Sequence, residues 1–344
     1  GEGARRADRR SVDADYVAAE RAFSRRDDAR AYALFEAIAQ REPRRAERGL
    51  ALYRMASVRV RQDRLDDAAL LFASIDDPER RALGRYRMAV LDLERRGRPD
   101  AGRASLRALA RDEPDRVAAD KAVRYLARAD LASDAATTAR LLGEVALSRR
   151  AHPVADNAAW WQAYVLLVRL DDLPAARGVL RGLVEAWPTS PLVDDALWLL
   201  ADLARRQGAF EQAVGHLDAL LSVRNETSFL VGSYRSARLD DAALRVGDLH
   251  FHARQDFDAA ATAYARCLAD FDTSVVRDDA WWGLANARRA RGDEAGAARA
   301  LRSLLSERPD SRLVARARRL LDGDAAAAMT PDPARFASAE VRWP

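Results

Sequence analysis

A single apolar spacing recurs along the chain. A small residue is followed four and seven positions later by large apolar residues: Ala31-Phe35-Ile38, Ala68-Phe72-Ile75, Gly102-Leu106-Leu109, Thr138-Leu142-Val145, Ala176-Leu180-Leu183, Ala213-Leu217-Leu220, Ala260-Tyr264-Cys267 and Ala297-Leu301-Leu304. The small residues lie 37, 34, 36, 38, 37, 47 and 37 positions apart, too even a series for chance. Offsets of zero, four and seven fall on one helix face, so each triplet predicts the buried stripe of a helix. The small member marks a close crossing, where a larger side chain would push the neighbouring helix away. The Thr138 triplet is the least regular.

Each stripe follows a second amphipathic segment that begins about sixteen residues upstream. The link between them is short and polar, as in Arg206-Gln207-Gly208 or Arg291-Gly292-Asp293, which forces the two helices antiparallel. Twelve residues after their anchors stand Pro43, Pro114, Pro188 and Pro309, placed to stop the second helix. Ser190, Ser274 and Ser311 follow such stops and are expected to cap the next helix. No window alternates apolar and polar residues as a half-buried strand would.

A helix pair every ~34 residues is the tetratricopeptide spacing, and one pair cannot bury its stripe without stacked neighbours. The predicted fold is therefore all-α: a right-handed superhelical solenoid of about eight tetratricopeptide-like helix hairpins over residues 1–322, anchored at 31, 68, 102, 138, 176, 213, 260 and 297. A capping helix is expected over 311–321, with Arg316, Arg318 and Arg319 on its outer face. The tail, 323–344, reads as extended or flexible, with Phe336 or Trp343 as candidate docking points. The 47-residue step predicts about ten extra residues within 227–235, in the loop between the sixth and seventh hairpins. That insertion reads equally as a functional loop or a tolerated one. The sequon Asn225-Glu226-Thr227 is discounted as chance.

Composition changes this picture little. Hydrophobic residues make up 49% of the 344, ample for a core. Charged residues make up 32%, but the net charge is only +4 and the signs are interspersed. Lys121 is the only lysine, and no basic stripe appears, so a solvated surface rather than a nucleic-acid site is expected. No apolar run approaches the ~18 residues of a membrane span. Cys267, the only cysteine, occupies an apolar stripe and reads as core. His250 and His252 are two apart on a helix and cannot share a metal as an i, i+4 pair could; His152 and His216 stand alone. The pairs Asp194-Asp195, Asp240-Asp241 and Asp278-Asp279 stand at helix starts, where they complement the helix dipole. No phosphate-binding loop is present. No enzyme, cofactor or metal site is expected.

The one candidate binding constellation is aromatic. Tyr16, Tyr53, Trp161, Trp198 and Trp282 stand fifteen residues before five of the anchors, a first-helix position expected to face a concave groove. Rings there suit peptide capture, but packing against the first helix of the next hairpin is an equal alternative. Arg61, Asp202, Arg206 and Asn286 fall at neighbouring groove offsets, whereas Trp160 and Trp281 are expected in the core.

The joint Trp187-Pro188-Thr189-Ser190-Pro191-Leu192-Val193-Asp194-Asp195-Ala196-Leu197-Trp198 resembles the tyrosine-proline-x-serine-proline joint of bacterial envelope helper proteins, and Asp272–Trp282 and Arg308–Ser311 repeat it. Those helpers include the outer-membrane lipoprotein of β-barrel assembly and the periplasmic coordinator of the Tol–Pal system. The superhelical scaffold of soluble lytic transglycosylases is similar at Asp156–Trp161. The likeness covers roughly residues 153–322. The assembly lipoprotein has about five repeats against about eight here, and nothing here resembles the coordinator's coiled coil or the transglycosylase catalytic domain. The resemblance implies a non-catalytic protein-interaction scaffold or adaptor of the cell envelope, in the periplasm or on the periplasmic face of the outer membrane, with envelope proteins as partners. The chain begins Gly1-Glu2-Gly3 without methionine, so a removed segment is expected: a signal peptide, with room for a lipid anchor ahead of Gly1, or a trimmed end. The alternatives are a detached transglycosylase-type scaffold on peptidoglycan, or a cytoplasmic scaffold of a motility or secretion complex.

Overall fold

The computed structural model describes residues 14–41, 45–112, 117–129, 134–148, 150–223, 238–334 and 341–343. Within them lie seventeen α-helices and no strand. In order they are α1 (14–24), α2 (Asp28–Arg41), α3 (Arg45–Arg61), α4 (Leu65–Ala73), α5 (Pro78–Glu94), α6 (Pro99–Asp112), α7 (Val117–Arg128), α8 (Ala135–Ser148) and α9 (Val154–Tyr164). There follow α10 (Leu173–Ala186), α11 (Val193–Arg206), α12 (Phe210–Val223), α13 (Leu239–Asp248), α14 (Phe257–Asp270), α15 (Arg277–Ala290), α16 (Glu294–Glu307) and α17 (Val314–Leu321). The expected insertion at 227–235, Asn225, Pro43, Pro114 and Phe336 lie outside the described residues.

Contacts divide the chain into two compact units, residues 1–165 and 166–344. In unit 1 consecutive helices pack in an unbroken series from α2 to α9. In unit 2 the series runs without a break from α10 to α17. The fold is all-α, built from tetratricopeptide-like helix hairpins.

The residues of all eight triplets are buried, each large one contributing roughly 1.5–3 kcal/mol. The small anchors do permit close crossings: a Cβ on Gly102 would lie 2.6 Å from the Ala89 carbonyl oxygen. Bulky anchors need room elsewhere. The ring of Tyr264, fully buried, lies between Gly247 of α13 and Gly283 of α15, where an added Cβ would approach it to 2.5 and 2.4 Å.

The links share a feature invisible in the residue types. Five residues before its anchor, each described hairpin turns through a left-handed residue: Arg26, Asp63, Gly97, Asp171, Gly208, Gln255 and Gly292. Asp172, Asp256 and Asp293 follow three of these turns and accept the third N–H onward at 3.0, 3.0 and 2.8 Å, capping α10, α14 and α16. The joint serines act one step earlier than a cap. Ser190, Ser274 and Ser311 accept N–H groups two residues on, at 3.1, 3.2 and 3.1 Å, and shape the turn that precedes the helix. As a result α17 starts at Val314. Two of these serines also reach back one hairpin: Ser274 donates to Asp240 at 2.5 Å and Ser311 to Asp278 at 2.6 Å. The first acid of two of the pairs, Asp240 and Asp278, is thus a hook for the next joint as well as a dipole partner.

Candidate functional sites on the first-helix faces

In unit 1, α7 packs against α5 and α9. Between α5, the start of α6 and α7 lies a recess of about 640 Å3, lined by Tyr86, Leu93, Glu94, Pro99, Arg103, Lys121, Arg124, Tyr125, Arg128 and Ala129. Four cations face one carboxylate there. Glu94 accepts the Tyr125 hydroxyl at 2.9 Å; burial, reinforced by this bond, pushes the Tyr125 pKa up to about 12. The Tyr86 and Tyr125 rings meet edge to face at 6.5 Å. Arg103 holds Asp100 at 2.7 Å, while Lys121 and Arg128 form no ion pair among the described residues. The Arg124 guanidinium lies 5.9 Å over the ring of Trp161, which is half-buried against Tyr164. Such a recess can pair with carboxylates brought by a partner.

Unit 2 treats the same hairpin positions differently. Asp202, one turn beyond Trp198 on α11, is 7% exposed and accepts from Arg205 at 3.2 Å and Arg245 at 2.7 Å. Arg245 stacks 4.0 Å over Trp198, with Arg238 at 5.2 Å. Trp282 is 4% exposed beneath Arg316, 5.1 Å from its ring. Asn286, one turn on, donates to the Trp282 carbonyl at 2.8 Å and accepts the Met329 N–H at 2.7 Å.

The nine groove candidates are therefore not one site. Trp198 pairs with Asp202, and Trp282 with Asn286; Trp198 is closed by Arg238 and Arg245 at the start of and within α13, and Trp282 by Arg316 of α17, in each case one hairpin onward. Tyr16 and Tyr53 turn inward to Phe35 and Phe72, at 6.3 and 5.3 Å. Arg61 is engaged by Asp28 at 2.6 Å and by the Phe23 carbonyl and ring. Arg206 is exposed, and the ring of Trp161 lies under Arg124, one of the residues that line the basic recess. Trp160 is buried, whereas Trp281 is half-buried and donates to Glu307 at 3.0 Å. Sequence reasoning missed Lys121, Arg124, Tyr125 and Arg128. Their offsets of zero, three, four and seven put them on one helix face, a polar stripe as regular as the apolar ones.

Residues 139–191, 166–226 and 249–312 match the family model of the tetratricopeptide repeat. No curated protein matches the chain. Among solved structures, BtubC (BKLC) from P. vanneervenii aligns at 16% identity and TM-score 0.39, covering 78% of this chain and 99% of that one. A tetratricopeptide repeat protein from Parabacteroides merdae aligns at 13% identity and TM-score 0.30, covering 91% and 98%. The tetratricopeptide domain of P58(IPK) aligns at 13% and 0.25, covering 92% and 90%. Likenesses at these TM-scores carry no functional argument. The repeats themselves mark the chain as a protein–protein interaction scaffold. No helix among the described residues is long and apolar enough to cross a membrane.

Proposed function

We propose that the chain is a non-catalytic adaptor that holds protein partners on its first-helix faces, and that its open contact in unit 1 takes an acidic segment. The observation that carries this is the recess beside α7, where Lys121, Arg124 and Arg128 outnumber the single Glu94. Trp161, under Arg124, offers a rigid ring for an apolar neighbour of those acids. Of the other groove candidates, Arg206 is positioned for direct contact. Trp198, Asp202, Trp282 and Asn286 define the first-helix face of unit 2, while Tyr16, Tyr53 and Arg61 set the geometry of the first hairpins.

An acidic decapeptide is expected to bind the full chain with an affinity that falls as salt rises. Replacing Lys121, Arg124 and Arg128 together with glutamate should weaken it at least tenfold without changing helix content. Equal binding by the charge-reversed chain would sink the assignment. We further propose an envelope address, in the periplasm or on the periplasmic face of the outer membrane, supported by the proline-serine joints at 188–190 and 309–311. Cell fractionation with intact-mass measurement tests it: recovery with the envelope, with or without an added lipid, agrees, and an unmodified cytoplasmic protein overturns it.

A further inference from the structure

Beyond Gly323 the chain does not leave the fold. It runs back across α17 and α15 towards the end of α13; Asp324 pairs with Arg319 at 2.6 Å, and the hydrogen bonds beyond it are made by the main chain. Arg316 donates to the carbonyl of Ala327 at 3.0 and 3.2 Å and to that of Ala328 at 3.3 Å, while its guanidinium covers Trp282. The Met329 N–H reaches Asn286 at 2.7 Å, and the Asp332 N–H reaches Nδ1 of His252 at 3.2 Å. Ala327, the last residue of a short 3-10 turn (Ala325–Ala327), is 2% exposed, so a larger side chain there would meet its surroundings.

The receiving groups are set for a backbone rather than for these particular side chains. The Asn286 amide nitrogen is committed to the Trp282 carbonyl, which turns its oxygen outwards from a site only 3% exposed. A buried amide oxygen in that position requires an N–H donor from whatever lies above it. Arg316 offers donors to two successive carbonyls, and His252 offers an acceptor further along. Arg316 thus caps the carbonyls that end the turn, and Asn286 and His252 take N–H groups of the stretch that follows, so the segment is read chiefly by main-chain hydrogen bonds, the logic by which peptide grooves gain affinity without strict sequence demands.

We propose that this face of unit 2 is a binding site for a peptide that makes one short turn ending in an alanine-sized residue and then runs on extended, that its trans ligand is such a segment of a partner protein, and that residues 324–332 occupy it in cis as a competing placeholder. The proposal rests on the interaction-scaffold reading of the chain but uses a different face and different chemistry from the basic recess. A tethered segment acts at an effective concentration in the millimolar range, so a partner must outbid it or arrive where the tail has been drawn away.

The test uses the full chain and a fluorescent peptide with the sequence of residues 324–334 (Asp-Ala-Ala-Ala-Ala-Met-Thr-Pro-Asp-Pro-Ala). The unaltered chain should bind it weakly. Ala327→Asp places a charge in the buried pocket, releases the tail and should strengthen peptide binding at least tenfold. Adding Asn286→Ala should remove that gain. A peptide carrying the same Ala→Asp change should not bind. Met329→Pro is a second way to loosen the tail: it deletes the N–H held by Asn286, and Ala328, at φ −63° and ψ 157°, already has a backbone that suits a following proline. It should act in the same direction, less strongly. If both variants keep native helix content and bind the peptide no better than the unaltered chain, or if the altered peptide binds equally, the proposal is overturned. The acidic-peptide result for unit 1 is independent of either outcome, so the two readings can fail separately.

Discussion

Trp161 and Trp282 stand at the same place in their hairpins, fifteen residues before Ala176 and Ala297. In unit 1 Trp161 is half-buried, with Arg124 approaching from the neighbouring first helix to 5.9 Å. In unit 2 Trp282 is closed over by Arg316, which is itself tied to the returning tail. Trp198 is closed in the same way by Arg245, which Asp202 holds in place. Repeat position therefore fixes where a ring is set on the helix, but not what covers it. The cover comes from polar residues one hairpin onward, and those residues are not under the spacing constraint that keeps the anchors in phase. Arginines close rings in both units, as Arg61 does Phe23 and Arg245 does Trp198, but around α7 unit 1 leaves several facing a recess.

The largest expected difference between the units follows from that contrast. Asp202 is shared by Arg205, itself 4% exposed, and Arg245. Removing one partner of a buried ion pair costs about 3 kcal/mol or more, so Asp202→Ala should lower the stability of unit 2 by that order in a denaturant titration. Arg124→Ala in unit 1 lies on an exposed face and should stay within about 0.5 kcal/mol. Similar losses from the two substitutions would erase the distinction between a structural and a vacant set of arginines.

A smaller contrast tests the packing of the bulky anchors. A Cβ at Gly283 would meet Tyr264 at 2.4 Å, and one at Gly84 would meet Phe72 at 2.8 Å. Overpacking of this kind costs roughly 1–3 kcal/mol. Gly283→Ala should fall near the upper end, because Gly247 confines the opposite face of the same ring, and Gly84→Ala nearer the lower. The reverse order of melting-temperature shifts would show that α13 and α15 separate more easily than α4 and α5.

The hairpin order was legible because its cause is local: small and large residues at offsets of zero, four and seven must share a helix face wherever they occur. The triplets from Ala31 to Leu304 are buried for that reason. The candidate site was less legible, because fifteen-residue offsets locate a ring and say nothing of its neighbours. Tyr53 meets Phe72 and Trp198 meets Arg245 through partners 19 and 47 positions away, set by tertiary packing. The cationic face of α7 was readable, since Lys121, Arg124 and Arg128 keep helical spacing, but the stripe is polar and a search for apolar periodicity passes over it. The docked tail gave little pattern: apart from the Asp324–Arg319 ion pair, its hydrogen bonds to the rest of unit 2 are made by backbone atoms, which every residue type carries.

Next in size are the left-handed links, where both units contain residues ill-suited to their backbone. Asp63 in unit 1 has φ 60° and Gln255 in unit 2 has φ 51°, while Gly97, Gly208 and Gly292 serve the same turn elsewhere. Side chains with a Cβ pay roughly 1–2 kcal/mol there, partly offset by the greater entropy that glycine loses on folding. Asp63→Gly and Gln255→Gly should each therefore stabilise their unit, by about 0.5–1 kcal/mol. The gain should be smaller at Asp63, whose carboxylate also pairs with Arg95. A loss at Gln255 would mean that its side chain, rather than its backbone, governs the turn.

The smallest effect concerns acid. His216 and His250, both in unit 2, have pKa values lowered from 6.5, in each case chiefly by burial, with Arg181 and Arg177 adding to it for His216 and Arg254 for His250. For a base whose folded pKa lies below its unfolded value, the folded state resists the proton. The stability this gives is fully present above 6.5 and is lost as pH falls from there through the folded values. Lowering the pH from about 7.5 to about 5.5, a range in which histidine is the side chain that ordinarily titrates, should therefore destabilise unit 2. Asp120 in unit 1 carries the opposite bias: its pKa is raised, first by burial and then by Asp156, against a hydrogen bond from Asn157. Acid that reaches the carboxylate range relieves that residue instead of burdening it. Hydrogen exchange followed across the two pH values should show protection falling in α12 and α13 while α7 keeps its own. His216→Gln with His250→Gln should flatten the response of unit 2, and an undiminished response would assign the acid sensitivity to other groups.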